Sequence, residues 1–159
     1  MLEVEIVGVF DGQSHPQGPM HPVVKLRHED RELPIVVGIP EAQAIQVGLL
    51  EEKLGRPMTH DLVCNILAGL RAELESVTIY KLENDTFYAH LNLSQKNAAG
   101  EIEQLVRVDS RPSDGIAIAV RARCPIYVAE EVMDLAGLET PSESESEDSE
   151  EPDEDDSED

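Results

Sequence analysis

The sequence predicts an α+β fold made from two copies of one β-β-β-α unit, with the strands joined in a mixed sheet and the helices packed against it. Three observations carry this expectation. Leu2–Phe10 (LEVEIVGVF) and Glu75–Leu82 (ESVTIYKL) alternate apolar and polar residues 73 positions apart, with Val4/Val77, Ile6/Ile79 and Val9/Leu82 in register. Each run is followed by a polar turn and two further strand-like runs. Each half then reaches a proline that opens a helix, Pro40-Glu41-Ala42 and Pro112-Ser113-Asp114. Proline suits the first helical turn, where its missing N–H had no partner, and acids beside it complement the helix dipole.

In the first half the strands are expected at Leu2–Phe10, Pro22–Arg27 and Leu33–Gly38, with the turn Asp11-Gly12-Gln13 after the first. A helix over Glu41–Leu54 carries Ala44, Ile45, Val47, Leu49 and Leu50. A second helix over Thr59–Glu73 has Leu62, Ile66, Leu67 and Leu70 at helical spacing and Thr59 as its expected N-cap. It outruns any counterpart in the other half, so the repeat is imperfect. In the second half, Glu75–Leu82 turns through Glu83-Asn84-Asp85 into Thr86–Leu93, followed by Gln104–Asp109 and a helix over Ser113–Arg123 with Ile116–Val120 as its apolar part. A short strand at Cys124–Val128 and a helix or turn at Ala129–Leu138 close the unit.

Charge divides the chain. Of 34 acids, 13 lie in residues 139–159, a stretch with no Lys or Arg, which leaves 21 acids against 12 bases in residues 1–138. The formal charge of −22 is therefore mostly a property of the terminal segment. That segment has nothing apolar to bury and is expected to be a disordered acidic tail behind a single domain of residues 1–138. Apolar runs of four or five residues fall far short of the ~20 needed to cross a bilayer. The N-terminus lacks the basic, apolar pattern of a secretory signal, so a cytoplasmic protein is expected. Cys64 and Cys124 are too few for a disulfide scaffold or a zinc ribbon and read as core residues. The acidic balance argues against a groove-binding nucleic-acid protein of the ordinary basic kind.

Two segments are polar where core residues would have sufficed: Arg56-Pro57-Met58-Thr59-His60-Asp61-Leu62 and Asp109-Ser110-Arg111-Pro112-Ser113-Asp114-Gly115. A strand-to-helix turn aims side chains and backbone N–H groups at one point, which suits an anion or a metal-bound phosphate. Asp61, Asp109 and Asp114 are the candidate ligands of a Mg²⁺ or Mn²⁺ ion. Arg111 is the candidate phosphate clamp, His60 the candidate acid or base, and Ser113 lies beside them. A bound divalent ion would also screen acids that otherwise repel phosphate. Each residue has a plainer account as well: helix-start acids at Asp61 and Asp114, a structural ion pair at Asp109 and Arg111, a routine first-turn Ser113, a capping-region His60. His15, His21, His28 and His90 lack ligand spacing, and no Gly-rich phosphate loop, nucleophile elbow or Cys-x-x-Cys is present, so no organic cofactor is expected.

Taken together, Arg56–Leu62, Thr86-Phe87-Tyr88-Ala89-His90-Leu91, Asp109–Ala117 and Pro125-Ile126-Tyr127-Val128 resemble the bifunctional nuclease domain family over nearly all of residues 1–138. The Asp-x-Arg-Pro-Ser-Asp block is the most specific part, and Gly115 stands where alanine would be expected. The resemblance implies a small stand-alone α+β domain of prokaryotic type, with nuclease activity on RNA and DNA. The alternative is a non-catalytic module that uses the same turn to hold an anionic ligand or a protein. Exposed sheet edges are commonly managed by pairing, so a homo-oligomer is also expected.

Overall fold

The computed structural model describes residues 1–13 and 15–140, and the expected acidic tail from residue 141 onward lies outside them. Eight strands and four helices are present in it: β1 (Leu2–Gln13), β2 (Met20–His28), β3 (Arg31–Val36), α1 (Ile39–Leu49), α2 (Thr59–Gly69), β4 (Ala72–Glu83), β5 (Thr86–Lys96), β6 (Ile102–Ser110), α3 (Pro112–Ala122), β7 (Ile126–Val128), α4 (Glu130–Ala136) and β8 (Leu138–Glu139). The fold is α+β, with β1-β2-β3-α1 repeated as β4-β5-β6-α3.

The strands form one sheet in the order β6-β5-β4-β7-β1-β2-β3-β8. Within each half the strands are antiparallel neighbours, while β7 runs parallel to β4 and antiparallel to β1, so the sheet is mixed and β7 joins the halves. Tight turns hold the register. Asn84 and Asp85 both take positive φ (51° and 58°), the conformation of a two-residue hairpin whose twist matches the strands it joins. Alternation then sorts the side chains: Val24, Leu26, Leu33 and Ile35 in one half and Val77, Ile79, Ala89 and Leu91 in the other point to the core. α3 lies over β4 and β5 with Ile116, Ala117, Ile118 and Ala119 buried, α1 lies over β1 and β2, and α3 packs against both α1 and α2. Glycine at position 48 permits the close approach of α1 to α3, because a Cβ there would lie 2.5 Å from Val120 and 2.8 Å from the Arg121 guanidinium.

Several boundaries differ from expectation for local reasons. The helix expected over Thr59–Glu73 stops at Gly69, because Arg71 turns to φ 56° and β4 starts at Ala72. Leu70, Ala72 and Glu73 are good helix formers, so their pattern alone ran on. Glu51 at φ 52° likewise follows the last turn of α1, which ends at Leu49 rather than Leu54. The N-cap of α2 is Met58 rather than Thr59, and Asp61 does the capping by accepting the Met58 N–H at 2.8 Å. β8 was not expected: Glu139 pairs with Arg31 and Leu138 with Glu32, and the Thr140 N–H and hydroxyl both donate to the Asp30 carbonyl.

Candidate functional site

The two duplicated helices begin side by side. At the start of α3, Arg111 is the N-cap in an extended conformation (φ −70°, ψ 145°) and Pro112 fixes the next residue, which places Asp114 in the first turn. Arg111 donates from Nε to Asp114 Oδ2 at 2.9 Å and from Nη2 to Glu41 Oε1 at 3.4 Å, so one guanidinium spans the first turns of α1 and α3. Glu41 bends back over the start of its own helix, and Gly38 permits this because a Cβ there would collide with the carboxylate. On the other side of Asp114, its Oδ1 lies 2.9 Å from His60 Nε2, contributed by the first turn of α2. His60 keeps only 12% of its side chain exposed, against 68% for Arg111. The result is a chain of four groups, His60–Asp114–Arg111–Glu41, that starts at a largely covered imidazole and passes through an exposed guanidinium.

Beside this chain lies a cleft of about 250 Å³, lined by the apolar Ile35, Val37 and Phe87 and by Glu41, Arg111 and Ser113. Ser113 is 8% exposed. The cleft is formed where the end of β3, the β4–β5 turn and the start of α3 come together, so both halves of the duplication contribute to it.

Asp61 sits one residue beyond His60 but faces elsewhere. Its Oδ1 accepts from Arg121 Nε at 2.7 Å, and Arg121 Nη1 donates to the Ala44 carbonyl at 2.9 Å and the Ala117 carbonyl at 2.7 Å. Arg121, 9% exposed, thus ties α2 to both α1 and α3. Asp109 is apart from both other acids. It lies on β6 directly opposite His90, one position before the Ser110–Ala89 pair. Ala89 is fully buried toward the helices, so alternation turns Asp109 to the other face of the sheet, where it is exposed beside the stacked rings of His90 and Tyr80, 4.0 Å apart.

The structure therefore joins His60, Asp114 and Arg111 in one chain, puts Ser113 beside Arg111 in the cleft, which neither His60 nor Asp114 lines, and separates Asp61 and Asp109 from them. Asp61, Asp109 and Asp114 do not form one ligand set. Two already accept from arginines, the third is across the sheet, and among the described residues no group of three His, Cys, Asp or Glu is placed to hold a metal. The acids do not fit a shared Mg²⁺ or Mn²⁺ ion.

Electrostatics agree with occupied carboxylates. Burial acts to raise the pKa of Asp114, but the hydrogen bonds and charges of His60 and Arg111 outweigh it and hold the carboxyl below its ordinary value. For Asp61 burial is likewise outweighed, by the Met58 N–H, Arg121 and His60. Groups lowered in this way add stability above their unfolded pKa, about 3.9, and lose it as pH falls through the folded value. Acid unfolding followed by circular dichroism should therefore show stability falling below about pH 4, with a shallower fall in Asp61→Asn; an identical fall in that variant would contradict the pairing. Burial pushes the Cys124 thiol up to about 11 and that of Cys64 upward as well, which leaves neither suited to act as a thiolate nucleophile.

The sequence profile of the bifunctional nuclease domain matches residues 23–141, which takes in α1 to α4, the whole His60–Asp114–Arg111–Glu41 chain and the cleft. The chain belongs to the bifunctional nuclease domain family. Among relatives, an uncharacterised protein of Mycobacterium tuberculosis is 40% identical over 149 residues, 92% of this chain and 83% of that protein. Bifunctional nuclease 1 of Arabidopsis thaliana is 30% identical over 116 residues, covering 71% of this chain and 35% of its own length. Bifunctional nuclease 1 of Oryza sativa subsp. indica is 30% identical over 133 residues, covering 79% and 39%. The chain thus spans little more than a third of these plant nucleases. As a bifunctional nuclease domain it has no helix among the described residues long and apolar enough to cross a membrane.

Three residues of this domain's site were not singled out by sequence: Glu41, Gly38 and Arg121. Glu41 was visible only as a helix-start acid. Arg121 looks like an ordinary cation in a last helical turn, and nothing in its neighbours shows that it points inward.

Proposed function

We propose that this bifunctional nuclease domain hydrolyses phosphodiester bonds of RNA or DNA, with His60 as the proton-transferring group. The reading is carried by one observation, the His60–Asp114–Arg111 chain beside a cleft to which both halves of the fold contribute. With Nε2–H donated to Asp114, His60 keeps Nδ1 to take a proton from an attacking water. Asp114 fixes the ring and stabilises the imidazolium that results, the role a carboxylate plays toward a catalytic histidine generally. Water oxygen then bonds to phosphorus, the bond to the leaving oxygen breaks, and the proton held by His60 is available to that oxygen. The exposed Arg111 would hold the phosphate, giving up its contact with Glu41 at 3.4 Å to do so. Ser113, which lines the same cleft, would orient the phosphate or the water.

A second reading has an observation in its favour. Both oxygens of Asp114 and both oxygens of Asp61 are already hydrogen-bonded, which also suits a non-catalytic module that holds an anionic ligand or a protein. Gel assays on end-labelled single-stranded RNA, single-stranded DNA and duplex DNA separate the two. Cleavage by the wild-type chain is expected, with Arg111→Met about tenfold poorer at low substrate. Nucleic acid bound but uncut in Mg²⁺, Mn²⁺ and chelator alike would establish the module instead. The chelator arm also decides whether a divalent ion, the sequence expectation, takes part.

A further inference from the structure

We infer that the pocket between the end of α1, the end of α3 and the start of α2 is an anion site for a phosphate group, separate from the cleft beside Arg111. It encloses about 330 Å³, and Gly48, Asp61 and Arg121 are among the residues that line it. That volume falls within the range of ~300–1,000 Å³ usual for small-ligand pockets. Arg121 is the group that calls for a ligand. A guanidinium has five N–H donors, and three are used here: Nε by Asp61 and the two of Nη1 by the carbonyls of Ala44 and Ala117. Nη2 is buried and has no hydrogen-bond partner among the described residues, in a side chain that is only 9% exposed. A buried charged donor left unmet is costly, so an acceptor from outside the chain is needed. Nη2 shares an edge of the guanidinium with Nε, whose partner Asp61 stands on the pocket wall, whereas Ala44 and Ala117 do not. Gly48 keeps the pocket side open, because a Cβ there would lie 2.8 Å from Nη1 and 3.5 Å from Cζ.

Charge selects an anion as the occupant. Lys53 and Arg123 also line the pocket, so it gathers three bases in a chain that has only 12 Lys and Arg and a formal charge of −22. Three acids line it as well, but two are engaged. Asp61 is held by Arg121 and the Met58 N–H, and Glu51 accepts from Arg123 Nη2 at 2.8 Å. Glu52 alone then stands against Lys53 and the unmet Nη2. The Arg123–Glu51 pair is 75% and 69% exposed, and such pairs are weak, so an incoming anion can take Arg123 from Glu51 at little cost. The helix ends point the same way. In the last turn of α1 the carbonyls of Gln46, Val47 and Gly48 are met by the N–H groups of Leu50, Glu52 and Glu51. α2 starts at the pocket, with Asp61 in its first turn, and brings the positive end of its dipole there. A phosphate has enough acceptor oxygens to serve Nη2, Lys53 and Arg123 together.

Inorganic phosphate titrated into the full chain tests this without reference to activity, with the arginine side-chain N–H resonances as the readout and ionic strength held constant with chloride. The Arg121 signals are expected to move and to saturate. Lys53→Met and Arg123→Met should each weaken binding about fivefold, and both residues are exposed, so the variants should keep their melting curves. Arg111→Met should leave the Arg121 response unchanged, which separates this site from the cleft whether or not the chain cleaves nucleic acid. Adenosine 5′-monophosphate and adenosine, titrated in parallel, give the source of the group. A nucleotide that binds more tightly than inorganic phosphate makes it part of a nucleotide, and one that binds no more tightly makes it the free ion. An Arg121 response that never saturates, or that is the same in Lys53→Met and Arg123→Met as in the wild type, would overturn the inference. So would a response lost in Arg111→Met, or one produced by adenosine and not by phosphate.

Discussion

Asp114→Asn is expected to fold normally and to cleave nucleic acid at least 100-fold more slowly than the wild type, with His60→Ala at least as impaired. Proton transfer by a positioned side chain contributes roughly 10²–10⁴ in rate, and the Asp114 carboxylate is what positions this one, 2.9 Å from His60 Nε2. Asparagine has nearly the same shape but cannot stabilise an imidazolium, so the loss should fall on kcat with little change in KM. His60→Ala removes the proton carrier itself. Binding through Arg111 should survive in both, so filter binding at low salt should show affinities within a few-fold of the wild type. Single-turnover cleavage by either variant within threefold of wild type would show that the pair is structural.

Arg121→Met should have the largest effect on stability. The guanidinium is 9% exposed and holds Asp61 together with two helix carbonyls, those of Ala44 and Ala117. Methionine would fill much of the volume but leave Asp61 Oδ1 without its arginine and remove the second hydrogen bond that each helix carbonyl accepts. Breaking one side of a buried pair costs about 3–5 kcal/mol; Asp61 retains about a third of its exposure, so the low end, about 3 kcal/mol, is expected. For a domain of this size that lowers Tm by about 6–12 °C in calorimetry. Arg121→Lys should lie in between, because a point charge can reach Asp61 without the fork that also serves the carbonyls. A Tm unchanged to within about a degree in Arg121→Met would mean that α2 is held by its apolar contacts alone.

The duplicated architecture was legible because strand alternation and proline-opened helices are local signals. Val4 and Val77, matched in sequence, are both buried in strands that flank β7. Half of the site was legible for the same reason: Arg111, Ser113 and Asp114 are neighbours in sequence and stay so in space, and the Thr59–Asp61 start of α2 brings His60 to them. The proposed grouping of Asp61, Asp109 and Asp114 could not be checked from sequence, since it depends on which face each acid takes. Strand parity sends Asp109 across the sheet, and the buried Arg121, 60 residues from Asp61, draws that carboxylate away. Long-range partners of this kind have no local signature. The same holds for the Glu41–Arg111 contact, which spans 70 residues and exists only because the two halves fold against each other.

β7 carries a consequence for how the chain comes off the ribosome. Its three residues, Ile126 to Val128, lie between β4 and β1, so the first half of the duplication has no direct strand partner in the second. A nascent chain that has emerged as far as α3 possesses both repeats yet lacks the strand that links them. The edges of β1 and β4 that face each other must wait, unpaired, for a segment made only after both repeats. Completion of the sheet, and with it of a cleft that draws on both repeats, is thereby a late and concerted event, not the sum of two independent foldings.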